Sequence, residues 1–314
     1  MTVLPSYVKV FAPATVANVA SGFDVLGFAV SHPGDTVEAF SRVAHGVTLQ
    51  GITGDRGRLP HGEGNTVVVA VRELLRRLEK PFGVDIVLHK GMPLSSGLGG
   101  SAASAAAALH AVNVLAGEPL SPEELLRCSL EAERAVSGSV HADNAAPALL
   151  GGFVLVRSTD PLDAMTLPVP PGLTVVLVSP DIEISTALAR RMLPTKIPLK
   201  DAISQLGNLA ALVASLFSDN LALMGRSLSD LIAEPIRAEL IPGFKGVKKA
   251  ALAAGALGCS ISGSGPAMFA LVGTVTQAEV VAKEMQNGFK VAGLKATSYI
   301  SEVGAAGPRV VEKG

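Results

Sequence analysis

The chain has 314 residues, 26 Lys+Arg against 27 Asp+Glu, and 48% hydrophobic residues. A formal net charge of −1 provides neither a basic surface for nucleic acid nor an acidic tail, and the length is enough for one large domain or two ordinary ones. Cys128 and Cys259, the only cysteines, make no metal spacing and no disulfide framework, which fits free thiols in a reducing cytoplasm and a small solute as partner.

Tyr7–Phe11 is short and β-prone and stops at Ala12-Pro13, as an edge strand would. Asn18 and Asp24 follow, set among small residues in a run of ordinary turn formers. Asp35–Phe40 and Gly46–Gly51 are expected as strands, and Gly54–Gly64 as a polar, glycine-rich loop. Asn65 can cap a helix to Lys80, with Val68, Val71, Leu74, Leu75 and Leu78 at helical spacing. Val84–His89 alternates as a strand and feeds the Gly/Ser segment Pro93–Ala103, which runs into the alanine-rich stretch Ser104–Ala108. That helix should end near Gly117. Ser121-Pro122-Glu123-Glu124 is a capping box that starts a helix to about Val136. Glu131 and Glu133 lie two residues apart on it and cannot share a face.

A second small-residue turn, Ser137–Asn144, leads to the strand Phe153–Val156. The proline-rich stretch Pro161–Gly172 is the best candidate for a boundary, giving an N-terminal domain 1–168 and a C-terminal domain 169–314. Thr174–Val178 resumes as a strand, followed by helical patterns at Thr186–Met192, Lys200–Ser218, Leu221–Ile232 and Phe244–Ala254. Cys259–Val272 holds a glycine-rich turn between two apolar strands. A helix Gln277–Phe289 and a strand Ala296–Ser301 come next, and Gly304–Gly314 is expected as a loose tail. The first residues carry no secretory pattern. Gly91–Gly117 and Ala250–Ala278 lack charge over a bilayer's length, yet Gly, Pro and Ser interrupt both, so they fit buried segments of a soluble protein better than membrane spans.

A Gly/Ser segment that opens a helix leaves main-chain N–H groups free for an anion, so Pro93, Leu94, Ser95, Ser96, Gly97, Leu98, Gly99, Gly100, Ser101, Ala102 and Ala103 form a candidate phosphate cradle. The P-loop pattern fails, because no lysine stands in or after Gly97–Ser101. Gly97–Ala102 does satisfy the dinucleotide fingerprint, but the acid expected about twenty residues on falls at Glu118, in a turn between helices.

Three separated motifs together resemble the signatures of the GHMP kinases (galacto-, homoserine, mevalonate and phosphomevalonate kinases). They are Ala12-Pro13-Ala14-Thr15 with Gly22-Phe23-Asp24, Pro93 with Gly97–Ala103, and Ser262-Gly263-Ser264-Gly265-Pro266. Ala17-Asn18, His141 with Asp143-Asn144, Ser185-Thr186 with Arg190, and Glu234-Pro235 with Arg237 are similar to the homoserine kinases within that family. Gly100 departs from it, since the family usually has Ser there.

The resemblance implies an α+β, two-domain fold, with a ribosomal-protein-S5-like N-terminal domain, a ferredoxin-like C-terminal domain and the site between them. It implies ATP and Mg²⁺, homoserine as acceptor on the route to threonine, and a possible homodimer. Pro93–Ala103 would bind the nucleotide, and Ser101 and Glu133 the metal. Asn18, Asp24, Arg190 and Arg237 would bind the acceptor. Asn144 would orient its hydroxyl, with Asp143 the alternative as base and His141 beside them. A kinase for another small alcohol, or an inactive metabolite-binding member, is the alternative. On residue type alone, Glu133 reads as part of a solvated helix face.

Overall fold

Alternation along the first strand sets the architecture. In β1 (Tyr7–Ala17) Val8, Val10 and Ala12 are buried while Tyr7, Lys9 and Phe11 are partly exposed, so one face of the sheet is committed to a core. The computed structural model describes residues 4–138 and 140–314; Ser139 of the second small-residue turn and residues 1–3 lie outside the described residues. After β1 come β2 (Leu26–Arg42), β3 (Gly46–Thr53), α1 (Thr66–Arg77), β4 (Gly83–His89), α2 (Gly100–Leu115), α3 (Pro122–Ser137), α4 (Ala142–Leu150), β5 (Phe153–Thr159) and β6 (Leu162–Leu167). The second half contributes β7 (Thr174–Pro180), α5 (Thr186–Arg191), α6 (Leu199–Phe217), α7 (Leu221–Ser227), α8 (Glu234–Arg237), α9 (Phe244–Ala253), β8 (Gly258–Ile261), β9 (Met268–Val272), α10 (Val275–Val291), β10 (Ala296–Glu302) and β11 (Arg309–Lys313).

The first sheet runs β11-β1-β2-β4-β3, with β5 pairing β2 and β6 pairing β5, and β3 is parallel to β4. The second sheet, β10-β7-β9-β8, is antiparallel throughout. Helices α1 to α4 share one core with the first sheet, and α9 and α10 share another with the second. Between the sheets lies a third apolar cluster, which α6 and α7 help to line. There Phe28 is fully buried, with ring centroids 5.4 Å from Phe153 and 6.4 Å from Phe269. Small residues place α2 deepest. Ala103 and Ala105 to Ala108 are wholly buried, and their short side chains let the helix lie close against β1 and β2.

Helix starts follow their caps. Asn65 Oδ1 accepts from Val67 N at 3.0 Å, and Ser121 and Glu124 form the reciprocal capping box. Three expectations are corrected. The tail is not loose, because β11 pairs antiparallel with β1 and supplies that strand's missing edge. The proline-rich stretch contains β6, which forms a hairpin with β5 between Pro161 and Pro168. The helical pattern over 221–232 stops at Ser227, because the Asp230 carboxylate accepts from the N–H groups of Ile232, Ala233 and Glu234 and turns the chain into α8. Among the described residues no helix is long and apolar enough to cross a membrane.

Phe28→Ala is expected to lower the unfolding free energy by about 3–5 kcal/mol through the cavity left between the sheets, with Phe28→Leu well below that, as measured by urea unfolding.

Candidate active site

One cleft of about 420 Å³ opens between the two sheets, a size suited to a small ligand. Its floor is the segment before α2. There the three sequence motifs meet through the loop's own carbonyls. Thr15 N donates to Leu98 O at 3.1 Å, Ala267 N to Ser96 O at 2.9 Å and Ser262 Oγ to Gly97 O at 2.8 Å. With its carbonyls held from behind, the loop presents its N–H side and the unsatisfied first-turn N–H groups of α2. Packing is too tight for side chains here. A Cβ on Gly97, at φ +81°, would lie 2.4 Å from Ser262 O, and one on Gly99, at φ +67°, would lie 1.9 Å from Thr15 Oγ1.

Beneath the loop, Lys90 and Asp35 form a buried ion pair. Lys90 Nζ also donates to Gly100 O at 2.9 Å and to Ser104 Oγ at 2.8 Å, while Asp35 accepts from Gly91 N at 3.0 Å. A Cβ at Gly100 would stand 3.3 Å from Lys90 Nζ, so a side chain there would need the ammonium to give by a few tenths of an ångström.

Pro93 to Gly97 and Gly99 to Ala102 line the cleft, whereas Leu98 and Ala103 are buried below it and anchor the loop by packing. Glu133, His141, Asp143 and Asn144 line it from α3 and α4; Glu131 points away and pairs with Arg77. His141 N and Nδ1 contact the two Glu133 oxygens at 2.9 and 2.8 Å, and that hydrogen bond raises the His141 pKa above its ordinary value. Thr15 Oγ1 donates to Asn144 Oδ1 at 2.8 Å, which fixes the amide and leaves its NH₂ as the available donor. Asp143 is fully buried. Its Oδ2 accepts from Asn18 N at 3.2 Å and its Oδ1 has no hydrogen-bond partner. Desolvation, with the negative charge of Asp24 added, pushes its pKa up to about 7.

Across the cleft, the segment 18–24 is strained: Asn18, Val19, Ala20 and Asp24 all have positive φ, and Val19 at φ 43° is β-branched. The Asn18 amide holds this conformation, accepting from Asp24 N at 3.0 Å and donating to Gly263 O at 2.9 Å. Asp24 pairs with Arg190, and buried Arg237 donates to Gly263 O at 2.8 Å while its Nε finds no partner. Burial lowers the Arg237 pKa. Phe23 stands against both cations, with guanidinium carbons 5.4 Å (Arg190) and 5.2 Å (Arg237) from its ring centroid. The ring face offsets part of the repulsion between two like charges. At the cleft mouth, Arg58 of the glycine-rich loop forms a two-pronged ion pair with Glu183, beyond β7.

Every candidate from the sequence thus reaches or supports this cleft. Several contributors were missed: Lys90, Phe23, Thr66, Thr186 and Ser264, plus Arg58 to Pro60. Phe23, Thr186 and Ser264 stand inside the sequence motifs, but Lys90 and Asp35 pair across 55 residues with no local signal. A metal would have few protein ligands, since among the described residues no group of three or more His, Cys, Asp or Glu could hold one. Glu133 and Ser101, whose hydroxyl donates to Thr66 Oγ1 at 3.0 Å, both line the cleft, together with the carboxylates of Asp24 and Asp143. That sparse oxygen set suits Mg²⁺ bound mainly by phosphates and water.

Comparison with known proteins gives the family. Residues 65–152 match the model described as GHMP kinases N terminal domain, and 199–291 the one described as GHMP kinases C terminal. The chain is 48% identical over 317 residues to homoserine kinase of Chlorobium phaeovibrioides, covering 97% of this chain and 99% of that one. It is 41% identical to homoserine kinase of Xylella fastidiosa over 96% of this chain and 94% of that one. The crystal structure of homoserine kinase from Cytophaga hutchinsonii superposes with a TM-score of 0.97 at 49% identity over 99% of both chains. L. major mevalonate kinase, at 16% identity and a TM-score of 0.72, shares the fold.

Asp143 should leave a signature in stability. Its folded pKa near 7 lies above the unfolded value of about 3.9. Below that lower value both states hold the proton; as pH rises toward 7 the unfolded chain ionises first, so this contribution to stability falls. Asp143→Asn removes the dependence. In protein free of nucleotide and divalent cation, the unfolding free energy of the variant minus that of the parent is expected to increase from pH 4.5 to 7, and a constant difference would refute the shift.

Proposed function

Because the chain belongs to the GHMP kinases, in their homoserine kinase branch, we propose that this cleft transfers the γ-phosphoryl group of ATP to the hydroxyl of L-homoserine, a step toward threonine. The Pγ–O bond to the β-phosphate breaks, a bond from Pγ to the homoserine oxygen forms, and ADP, O-phospho-L-homoserine and a proton are the products. The observation that carries the reading is the opposition, in one cleft, of a main-chain anion cradle and a cluster of one carboxylate with two guanidinium groups.

The cradle Pro93–Ala103 receives the phosphates, where positioning and charge neutralisation matter more than covalent chemistry. Ser101 and Glu133 would hold Mg²⁺, whose chemistry there would be to neutralise phosphate charge. Asp24 receives the ammonium of the acceptor, with Asn18 holding Asp24 in place. Arg190 and Arg237 take its carboxylate; the unpartnered Nε of Arg237 is one donor left for it. Asn144, its oxygen occupied by Thr15, directs its NH₂ to the acceptor oxygen and orients the nucleophile. An amide has no useful proton affinity, so in this reading the proton leaves with phosphate or water.

A second reading rests on one observation: Asp143 has a buried oxygen without a partner and a pKa near 7, where a general base works best. If Asp143 is the base, Asp143→Asn abolishes turnover while Asn144→Ala is mild. If Asn144 positions the nucleophile, Asn144→Ala lowers kcat by about 10²-fold.

ADP release coupled to a spectroscopic readout, run with homoserine, mevalonate, galactose and shikimate, tests the assignment; turnover with homoserine no faster than with the other three would overturn it. Arg237→Ala is expected to raise KM for homoserine roughly 10- to 100-fold, the loss of a charged hydrogen bond. Phe23→Leu, which removes two cation–π contacts of about 0.5–1 kcal/mol each, is expected to raise the same KM several-fold with the KM for ATP unchanged.

A further inference from the structure

Gln205 is buried on the inner side of α6, beside Leu212, Ser215 and Leu216. An apolar residue would serve packing there, whereas a primary amide taken out of water needs partners for both its N–H groups and its oxygen. Gln205 finds them all. Its Nε2 donates to Ser21 O at 3.0 Å and to Asp230 Oδ1 at 3.3 Å, and its Oε1 accepts from Leu231 N at 2.9 Å. These partners come from two separate segments, and both segments lead to the acceptor side of the cleft.

Ser21 lies in the single helical turn Ala20–Gly22, within the segment of positive φ angles, and Phe23 and Asp24 follow it directly. Backbone strain of that kind persists only where the surroundings over-determine the conformation. Asn18 holds the segment through Asp24 N and Gly263 O, and Gln205 holds its middle through Ser21 O. The other route passes through Asp230. Its carboxylate accepts from the N–H groups of Ile232, Ala233 and Glu234, and Ala233 O accepts in turn from Arg237 N at 2.9 Å. Hydrogen bonds therefore run from Gln205 to the peptide that carries Arg237. At the far ends of the two routes the Phe23 ring and the Arg237 guanidinium meet, 5.2 Å from ring centroid to carbon. Gln205 itself does not line the cleft, so any effect on the acceptor is one of position.

We propose that Gln205 is a positioning residue for the acceptor, tying the segment of Phe23 and Asp24 to the segment of Arg237. The inference rests on the reading of this cleft as a homoserine site. An α-amino acid carries its ammonium and carboxylate on one carbon, so the groups that receive them must keep a fixed separation before the ligand arrives. Gln205 sets that separation from behind. Gln205→Met keeps the length and helix preference of the side chain while removing all three hydrogen bonds. Gln205→Glu keeps the acceptor for Leu231 N, loses the donors and sets a second carboxylate against Asp230.

Two measurements on the full chain test the proposal. Amide hydrogen exchange without substrates, comparing Gln205→Met with the parent, is expected to quicken in residues 18–25 and 231–237 and to stay unchanged in the cradle, 95–103. Steady-state kinetics are expected to show KM for homoserine raised about tenfold, the scale of a lost hydrogen bond, with KM for ATP within twofold of the parent. Gln205→Glu should raise KM for homoserine further. Leu212→Ala, on the same buried face and in the apolar cluster that includes Val19 and Ala20, is the control for lost packing. It is expected to unfold at lower urea with both KM values within twofold of the parent. Exchange that quickens equally in all three segments, KM values that rise together or not at all, or a Leu212→Ala variant that reproduces the split each overturn the proposal. A parent chain that does not turn over homoserine overturns the proposed activity instead, and exchange then decides on the tie alone. Should Gln205→Met fail to fold, Gln205→Glu is read by the same criteria.

Discussion

Three hydrogen bonds to the carbonyls of Ser96, Gly97 and Leu98 decide what this protein can do. A peptide unit held by its oxygen presents its N–H on the opposite side, so fixing the carbonyls from behind aims the loop's donors forward. Thr15 comes from β1, and Ser262 and Ala267 from the turn between β8 and β9. The anion cradle therefore exists only when both halves of the molecule are in place. Its chemistry depends on tertiary structure, although its sequence is contiguous.

The same economy of space runs through the rest of the cleft. Glycines at 97 and 99 stand where Ser262 O and Thr15 Oγ1 leave no room for a Cβ, and the alanines of α2 bring the helix start down onto the sheet. Charge is handled by pairing. Lys90 with Asp35 lies under the loop, Glu133 with His141 joins α3 to α4, and Arg190 with Asp24 crosses the acceptor side. Asp143 and Arg237 depart from this: each is buried without an ion-pair partner and with an unpartnered polar atom, and for Asp143 burial favours the proton.

Much of this was legible in the sequence, and the limits have physical causes. Caps at Asn65 and Ser121 were readable because their partners lie within three residues. The phosphate loop was readable because its Gly/Ser content is local and unusual. What escaped depended on distant pairing. β11 acquires its strand geometry only from β1, some 300 residues away, and Arg309–Lys313 alternates too little to show it. The end of α7 was hidden because Asp230 competes with the helix through its side chain, which apolar periodicity does not register. Lys90 escaped because it stands before the loop, outside the pattern searched for a lysine, yet folding returns its ammonium to Gly100 O. Phe23 was visible as part of a motif, but its contact with two arginines from α5 and α8 was not.

The positive φ angles at Asn18, Val19, Ala20 and Asp24 have a bearing on how this scaffold could be evolved for heat tolerance. Each such residue holds about 1–3 kcal/mol of backbone strain, which glycine would release. Both Val19 and Ala20 are buried in the inter-sheet cluster, so glycine there would relieve the backbone but forfeit buried side chain, most of all at Val19. It would also soften the segment that holds Phe23 and Asp24 against the arginines. A library built on this chain should leave these few positions fixed.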